Sequence, residues 1–222
     1  MSIENTSNSP RLILASSSPA RRKLLTDAGI EFTVLVSDVD EDAVLAQAQQ
    51  EAYDKGLGEI SPAQTAQLLA KAKAQNVAQM DQAQGALVLG CDSVFEFEGQ
   101  AFGKPHTAEN ALTRISAMSG HAGVLHTGHW LVDPRHAPAG ESSELRSATV
   151  HFSEMSEDEI SAYVATGEPL WVAGSFTIDG FGAAFIDKIE GEFHTVVGLS
   201  INALKSLLKV HGVSMPEIWK KS

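Results

Sequence analysis

The sequence predicts an α/β fold, in which helices pack against a sheet of buried strands. Two short, uniformly apolar runs, residues 12–15 (LILA) and 86–89 (ALVL), are typical of strands buried on both faces. Segments with apolar residues at helical spacing lie between such runs, and the clearest begins at Ser61-Pro62. A chain of 222 residues is long enough for one large domain or two small lobes with a substantial core.

Composition narrows the functional classes. A net charge of -12 argues against extended nucleic-acid binding and against attraction to an anionic membrane surface. No apolar run approaches the ~18 residues of a membrane helix and the N-terminus is polar, so we expect a cytoplasmic protein without a membrane span. The single cysteine, Cys91, excludes an intramolecular disulfide and offers no metal-ligand spacing.

The first strand, residues 12–15, leads into a helix with well-defined ends. Ser18 suits the N-cap position and Pro19 the first helical position. Gly29 suits the left-handed position that closes a helix. The sequence therefore predicts a strand, a serine-rich turn and a helix of about ten residues.

Basic residues in the first turn of this helix indicate an anion site, because the helix dipole already makes that end positive. They are Arg21, Arg22 and Lys23. Together with the hydroxyls of Ser16 and Ser18 and the free N–H groups of a helix start, they predict a phosphate cradle. The alternative is a strand–helix corner with solvated basic side chains.

A second strand is predicted over residues 31–36, and it is followed by an acidic segment, 38–42 (DVDED). Carboxylates are favoured at a helix start, which explains most of the segment. Their oxygens are also the ligands that hard divalent cations prefer, so one or two of them could hold a metal. Residues 43–60 contain no clear pattern.

Ser61-Pro62 opens a helix that we expect to reach about Met80. Its apolar positions recur at helical spacing and are Ala66, Leu69, Ala70, Ala74 and Val77. Lys73 lies beside this apolar stripe. Its side chain either extends along the buried face to water or reaches into a cleft, and its position alone leaves both readings open.

The run at 86–89 delivers Asp92 and Ser93 at the carboxyl end of the predicted strand, where open α/β sheets bind their ligands. A carboxylate there suits a metal ligand or a general base. A loop-capping role for Asp92 is an equal alternative.

A hairpin is predicted over residues 94–102, with its turn at Glu98-Gly99. It leads to Lys104 in a Gly-Lys-Pro loop, from which an ammonium group can reach a phosphate. The remaining predicted elements are a helix over 107–118, a strand over 123–133, a polar loop over 133–143, a strand over 145–152, a helix from Ser156 to Gly167, a turn at Glu190-Gly191 and a last helix from Ser200 to Gly212.

Several short motifs occur along the chain in a characteristic order. They are Leu-Ala-Ser16-x-Ser18-Pro19 followed by arginines, Val39-Asp40-Glu41, Leu69-Ala70-x-x-Lys73-Ala74, Asp92-Ser93-Val94, Gly103-Lys104-Pro105, Ser119-Gly120, Thr127-Gly128, Gly167-Glu168-Pro169, Ala173-Gly174 and Val197-Gly198-Leu199. Each is weak alone, but together they resemble the Maf family of nucleoside triphosphate pyrophosphatases over nearly the whole chain.

The resemblance implies a two-lobed α/β fold around an elongated mixed sheet, with a nucleotide in the cleft between the lobes. It implies hydrolysis of a nucleoside triphosphate between the α and β phosphates, assisted by a divalent cation, Mg²⁺ or Mn²⁺. A homodimer is a further expectation from this likeness. We expect a flexible N-terminus over residues 1–10, one domain over 11–212 and a C-terminal tail over 213–222.

Site residues are carried over by position from the family's motifs. Asp92 corresponds to the proton acceptor, and Lys73 and Lys104 correspond to two catalytic lysines. The substrate-binding positions are Ser16, Ser18, Arg21, Arg22 and the same two lysines. The metal positions are Asp92, Asp40 and Glu41.

Three positions depart from the family's common pattern and bear on substrate choice. Ala20 stands where an arginine commonly follows the proline, Ser93 where a threonine follows the aspartate, and Asp179 where a glutamine lies in an Ile-Gln-Gly segment. The resemblance implies that these positions tune base preference, so pyrimidine specificity is not assumed.

Two other functions stay open at this level. Nucleotidyltransferases also begin with a strand, a small-residue phosphate loop, an arginine and a later lysine, although their loop normally contains glycines where this chain has three serines. A non-enzymatic regulator of cell division would bind a nucleotide without converting it. Release of diphosphate without a second substrate distinguishes the hydrolase from both.

Overall fold

The structure is a computed structural model that describes residues 10–135 and 139–221. Within these residues a mixed sheet forms the centre. Its strands are β1 (Leu12–Leu14), β2 (Thr33–Val34), β3 (Leu87–Phe97), β4 (Gln100–Phe102), β5 (Ala122–Asp133), β6 (Gly140–Phe152) and β7 (Ile186–Glu190). The α-helices are α1 (Pro19–Asp27), α2 (Glu41–Asp54), α3 (Pro62–Ala78), α4 (Ala108–Met118), α5 (Glu157–Ala165), α6 (Phe193–Val197) and α7 (Ile201–Val210).

The strand order is β2-β1-β3-β5-β6-β7, and β4 pairs with the far end of β3. Strands β2, β1 and β3 are parallel, whereas the other pairings are antiparallel. On one edge of β3, β1 pairs with residues 87–89 and β4 pairs with residues 95–97. Residues 90–94, which we call the β3 gap, therefore have no strand partner on that edge among the described residues.

The core forms two lobes on either side of the β3 gap. In the first lobe, Leu12 and Leu14 of β1 pack with α1 and α7 on one face of the sheet, while Ile13 packs with α3 on the other. In the second lobe, Phe95 packs with α4 and α5. Because side chains alternate along a strand, successive residues in the gap point toward opposite faces.

Two glycines allow α3 to lie directly on the sheet. A Cβ atom at Gly90 of β3 would collide with the carbonyl oxygen of Ala70, and one at Gly128 of β5 would collide with that of Ala66. Glycine removes both collisions, so the backbone of the helix approaches the strands closely. This approach sets Lys73, three residues beyond Ala70, beside the β3 gap.

The predicted helix ends are confirmed. The side chain of Ser18 accepts a hydrogen bond from the backbone N–H of Arg21. Gly29 adopts a φ of 69°, which closes the helix. Ser61 and Ser156 cap α3 and α5 in reciprocal capping boxes. These signals are local in sequence, so they need no knowledge of the tertiary structure.

Several predicted boundaries are wrong, and each error has a physical reason. Strand β3 does not end at Asp92, because β5 pairs with it from Val88 to Glu96 and carries it through the site. Helix α2 occupies much of the stretch without a clear pattern; only Ala52 is buried there, so the sequence has no apolar period. Strand β2 spans only two residues, Thr33–Val34.

Other differences concern the second half of the chain and its ends. Strand β6 begins at Gly140, so the predicted loop over 133–143 is too long. Residues 136–138 of that loop lie outside the described residues. Residues 1–9 of the predicted flexible N-terminus lie outside them as well. The predicted tail packs on the first lobe through Val213 and Ile218. None of the described helices has the length and apolarity needed to cross a bilayer.

Candidate active site

Asp92 and Lys73 form a buried ion pair on the α3 side of the β3 gap. The Lys73 Nζ atom lies 2.6 Å from Asp92 Oδ1 and 2.8 Å from Glu41 Oε1. Asp92 is 9% exposed, whereas the Glu41 side chain is 49% exposed. The side chain of Lys73 therefore links the buried carboxylate of Asp92 to the half-exposed carboxylate of Glu41.

The environment of Asp92 makes its carboxylate more basic than usual. Burial raises the pKa of Asp92, and the positive charges of Lys73 and Arg21 oppose this effect without cancelling it. Lys73 occupies the Oδ1 atom, which leaves Oδ2 as the position that can accept a proton. A largely buried carboxylate of raised pKa has the properties of a general base.

Arg21 lies on the other face of the sheet, held by three neutral acceptors. Its Nε atom donates to the carbonyl of Gly198 at 2.7 Å, and its two terminal nitrogens donate to Ser16 Oγ at 3.2 Å and Ser93 Oγ at 3.1 Å. The residue is only 9% exposed. Among the described residues, no carboxylate forms an ion pair with this buried guanidinium group.

A chain of hydroxyl groups fixes the acceptors of Arg21. The Ser93 and Thr127 hydroxyls lie 2.9 Å apart on the paired strands β3 and β5, and Thr127 donates to the carbonyl of Thr195 at 2.8 Å. This connection ties the middle of the sheet to α6, which precedes Gly198. The guanidinium position is therefore set by residues from four separate segments.

His129 of β5 stabilises the same region through two contacts of its ring nitrogens. Its Nε2 atom accepts a hydrogen bond from the backbone N–H of Ser200 at 2.8 Å, and its Nδ1 atom lies 3.2 Å from the carbonyl oxygen of Glu144. Both contacts fit the neutral ring. Burial lowers the pKa of His129 to about 4, so the ring is neutral at physiological pH and holds the backbone just after Gly198.

The serine loop after β1 is internally hydrogen-bonded but keeps donors for a ligand. Ser16 Oγ accepts from the backbone N–H of Ser18 at 3.2 Å as well as from Arg21. Arg22 is exposed and donates to the carbonyl of Ser17 at 2.7 Å. Since the hydroxyls of Ser16 and Ser18 act here as acceptors, their own protons can still be donated to an anion.

Lys104 lies two residues beyond the end of β4 that borders the β3 gap. Strand β4 runs antiparallel to β3 with Phe102 opposite Phe95, so the chain continues from Phe102 back along the gap. Lys104 is exposed and makes no hydrogen bond or ion pair with any described residue. Lys104 is thus close in sequence to the strand that borders the gap, but it makes no contact with Asp92.

Asp40 and Glu41, the two acidic residues predicted as metal ligands beside Asp92, have different contacts. Asp40 caps α2, because its side chain accepts from the backbone N–H of Ala43 at 3.0 Å. Glu41 instead shares the ammonium group of Lys73 with Asp92. No group of three or more metal-binding side chains occurs in the described part of the chain, but the carboxylates of Asp92 and Glu41 converge on one point.

The three positions expected to tune base preference separate into two places. Ala20 and Asp179 line a pocket of about 300 Å³ between α1 and α6, together with Lys23, Asp27, Phe193 and Val197. Ser93 lies outside this pocket lining and contacts Arg21. The pocket adjoins the first turn of α1, where the predicted phosphate cradle is located.

Sequence reasoning did not assign a site role to Gly198, Thr127 or His129. The first two belong to the short motifs Val197-Gly198-Leu199 and Thr127-Gly128, which were the available signals. Gly198 acts through its backbone, which no residue pattern reveals. A Cβ atom there would lie 3.4 Å from both Arg21 Nε and Ser93 Oγ, so the glycine also lets those groups pack closely.

The fold and the contacts of Arg21, Lys73 and Asp92 define an α/β protein with a candidate anion-binding active site. A sequence model described as Maf-like protein matches residues 11–211, and the chain belongs to this family. It is 49% identical over 94% of its length to a nucleoside triphosphate pyrophosphatase from Streptomyces coelicolor, of which 94% is covered.

Further relatives carry the same name. The chain is 48% identical to the nucleoside triphosphate pyrophosphatase of Salinispora tropica, with 95% of this chain and 88% of that protein covered. It is 40% identical to the nucleoside triphosphate pyrophosphatase of Nostoc punctiforme, with 95% of this chain and 98% of that protein covered.

Proposed function

We propose that this protein hydrolyses nucleoside triphosphates between the α and β phosphates, giving a nucleoside monophosphate and diphosphate. The observation that carries the proposal is the buried guanidinium group of Arg21, which is bonded only to neutral acceptors. A buried cation without a paired anion is costly, and a phosphate would remove that cost. The names of the relatives support the same reaction for this chain.

The cations around the β3 gap suit a substrate with several negative charges. Arg21 uses three of its five N–H groups within the protein, so two remain for phosphate oxygens. Ser16, Ser18 and Arg22 add donors at the first turn of α1, where backbone N–H groups favour an anion. Lys104 would neutralise the departing diphosphate from the opposite end of the gap.

Asp92 would act as the general base. Its Oδ2 atom accepts a proton from the attacking water, and the bond from Lys73 to Oδ1 holds the carboxylate in one orientation. The oxygen of that water forms a bond to phosphorus as the bridging P–O bond breaks. Negative charge then passes to the diphosphate, which the arginine and lysine side chains stabilise.

The residues present fit a divalent cation. Asp92 and Glu41 supply hard carboxylate oxygens that already lie around one positive group, and Mg²⁺ is commonly held by one or two carboxylates plus phosphate oxygens. When bound, Mg²⁺ or Mn²⁺ would supply charge neutralisation and polarise a phosphate oxygen. Asp40 is less suited, since its side chain caps α2.

The pocket beside α1 would receive the nucleobase. Asp179 presents a carboxylate there and Ala20 leaves room where a longer side chain would fill the space. A carboxylate accepts hydrogen bonds from the amino groups of bases. We therefore expect Ala20 and Asp179 to set base preference, while Ser93 acts on the phosphate side through Arg21.

Kinetics with purified protein test the proposal. Common and modified nucleoside triphosphates are supplied with Mg²⁺ or Mn²⁺, and nucleoside monophosphate and diphosphate are quantified. Equimolar formation of both products without a second substrate is the expected result. A requirement for a sugar phosphate would instead indicate a nucleotidyltransferase, and tight nucleotide binding without product would indicate a regulator; either outcome would overturn the proposal.

A further inference from the structure

Glu168 is a partly buried carboxylate whose two oxygens accept hydrogen bonds from Tyr163 of helix α5 and from the segment 177–182. Its Oε1 atom accepts from the Tyr163 hydroxyl at 2.9 Å, the Thr177 hydroxyl at 2.6 Å and the backbone N–H of Gly182 at 2.9 Å. Its Oε2 atom accepts from the backbone N–H of Phe181 at 2.8 Å. No cation pairs with it among the described residues.

These bonds keep the carboxylate ionised and its surroundings ordered. Burial acts to raise the pKa of Glu168, but the hydrogen bonds from Thr177, Gly182, Phe181 and Tyr163 together lower it below the usual value. A charged acceptor strengthens each of these bonds. The charge of Glu168 is therefore used to fix a loop rather than to form an ion pair.

The segment from Thr177 to Gly182 wraps closely around this carboxylate. A Cβ atom at Gly180 would collide with Glu168 Oε2, and one at Gly182 would lie 2.6 Å from the Tyr163 hydroxyl. Ile178 packs its side chain into the second lobe. With both flanks held, the position of the intervening residue, Asp179, is determined.

Asp179 is the residue of this loop that lines the pocket beside α1. It is exposed, and its negative charge is felt by Lys23 on α1, whose pKa it helps to raise after the larger effect of Asp27. One lining residue of the pocket, Asp179, therefore lies on a loop that is hydrogen-bonded to Glu168. A change of a few ångströms in that loop would alter the pocket but would leave the Asp92–Lys73 pair untouched.

We infer that Glu168 is a positioning residue for substrate selection, which sets the base-binding wall of the pocket by holding the loop that carries Asp179. The inference rests on the proposed function, because it requires the pocket to receive the nucleobase. Glu168 does not touch the reacting atoms. Its effect is on KM and on the preference among bases.

Glu168→Gln tests this inference, because it replaces one carboxylate oxygen, a hydrogen-bond acceptor, with an amide nitrogen and keeps the size of the side chain. If the amide oxygen replaces Oε1, the amide nitrogen faces the backbone N–H of Phe181, and two donors then oppose each other. For the preferred triphosphate we expect a KM increase of about tenfold, with kcat within about twofold. The ratio of kcat/KM between preferred and poor bases should fall by a similar factor.

Two further variants make the result specific. Glu159→Gln has the same chemical change in helix α5 but loses bonds only to Ser156, so its KM and base preference should match the wild type. Asp179→Ala should raise KM like Glu168→Gln, and the double variant should be no worse than the stronger single one.

The failure of this inference differs from failure of the proposed function. An active wild type with unchanged KM and base preference in Glu168→Gln overturns the inference. So does a loss of thermal stability and kcat at constant KM, which indicates a purely structural role, or full additivity with Asp179→Ala. Absence of diphosphate release by the wild type overturns the proposed function itself.

Discussion

The two faces of the β3 gap each hold a buried cation, but the cations are compensated differently. Lys73 lies between the carboxylates of Asp92 and Glu41, so its charge is balanced within the protein. Arg21 has only the neutral acceptors Gly198, Ser16 and Ser93. Sequence alternation produces this separation, since Asp92 and Ser93 are adjacent and point to opposite faces.

The difference assigns distinct tasks to the two faces. A cation without a carboxylate partner is prepared for an external anion, so the Arg21 face is suited to holding phosphate. The charge of Lys73 opposes the protonation of Asp92, so the Lys73 face is suited to proton transfer. Changes on the Arg21 face should therefore act on KM, and changes on the Lys73 face on kcat and its pH dependence.

The largest effect is expected from Asp92→Asn. Asparagine keeps an oxygen for the hydrogen bond from Lys73 but cannot accept a proton from water, so kcat for diphosphate release should fall by about 10³-fold while the fold survives. Asp38→Asn is the control, because the Asp38 carboxylate accepts a hydrogen bond from Asn76 and does not share the ammonium group of Lys73. Activity near that of the wild type in Asp92→Asn would remove this residue from the mechanism.

His129 makes the Arg21 face sensitive to acid. Its pKa of about 4 lies below the ordinary value of 6.5, so the unfolded chain binds more protons between these values. The contribution of His129 to the free energy of unfolding is therefore fully present above pH 6.5. It is lost as the pH falls toward 4, which lowers the free energy of unfolding by about 3 kcal/mol. Urea unfolding at a series of pH values measures the slope.

A matched pair of variants isolates the contribution of this ring. His129→Gln can still donate and accept a hydrogen bond but does not titrate, so its stability should depend less on pH in this interval. His121→Gln changes an exposed ring and should keep the wild-type slope. Equal slopes in all three proteins would show that His129 is not protonated on unfolding.

Arg21→Lys is expected to have an intermediate effect on substrate binding. The charge is kept, but one ammonium group cannot reach Gly198, Ser16 and Ser93 together and still present a planar pair of donors to phosphate. KM for a triphosphate should rise about 30-fold, or about 2 kcal/mol, with a smaller change in kcat. Arg11→Lys, an exposed change, should leave KM as it is; an equal KM in both variants would contradict the assignment.

The sequence could predict features that depend on neighbouring residues. The capping of α1 and α3, the hairpin turn after β3 and the apolar stripe of α3 all follow from residues a few positions apart. Helix α2 was not predicted because it is exposed on most sides and lacks an apolar period. The length of β3 was missed since it depends on pairing with β5, a strand 35 residues further along.

In the candidate site, too, features that depend on neighbouring residues could be predicted, whereas features that depend on tertiary structure could not. The sequence indicated positive charge near Ser16 and Ser18, but not that Arg21 would be buried, because its acceptor at Gly198 lies 177 residues away. It left two readings for Lys73, and the close approach of α3 at Gly90 decides between them. Backbone acceptors and close approaches depend on tertiary structure, which residue types alone do not report.

The smallest effects are expected in the pH dependence of kcat/KM, and they test whether Lys73 and Glu41 act on Asp92 in opposite directions. Lys73 lowers the pKa of Asp92 against the effect of burial, whereas the charge of Glu41 raises it. Because the base must be deprotonated, Lys73→Met should move the acidic limb to higher pH, and Glu41→Gln should move it to lower pH.

The shift in Glu41→Gln should be the smaller one, because Glu41 is half exposed and water screens its charge. Profiles measured at constant ionic strength and saturating Mg²⁺ compare both variants with the wild type. Gln47→Glu adds an exposed carboxylate to α2 at a position that bonds only to Glu51, and it should leave the limb in place. Movement of both acidic limbs in the same direction would show that Lys73 and Glu41 act on the site through its shape, and the charge balance inferred for this face would then be wrong.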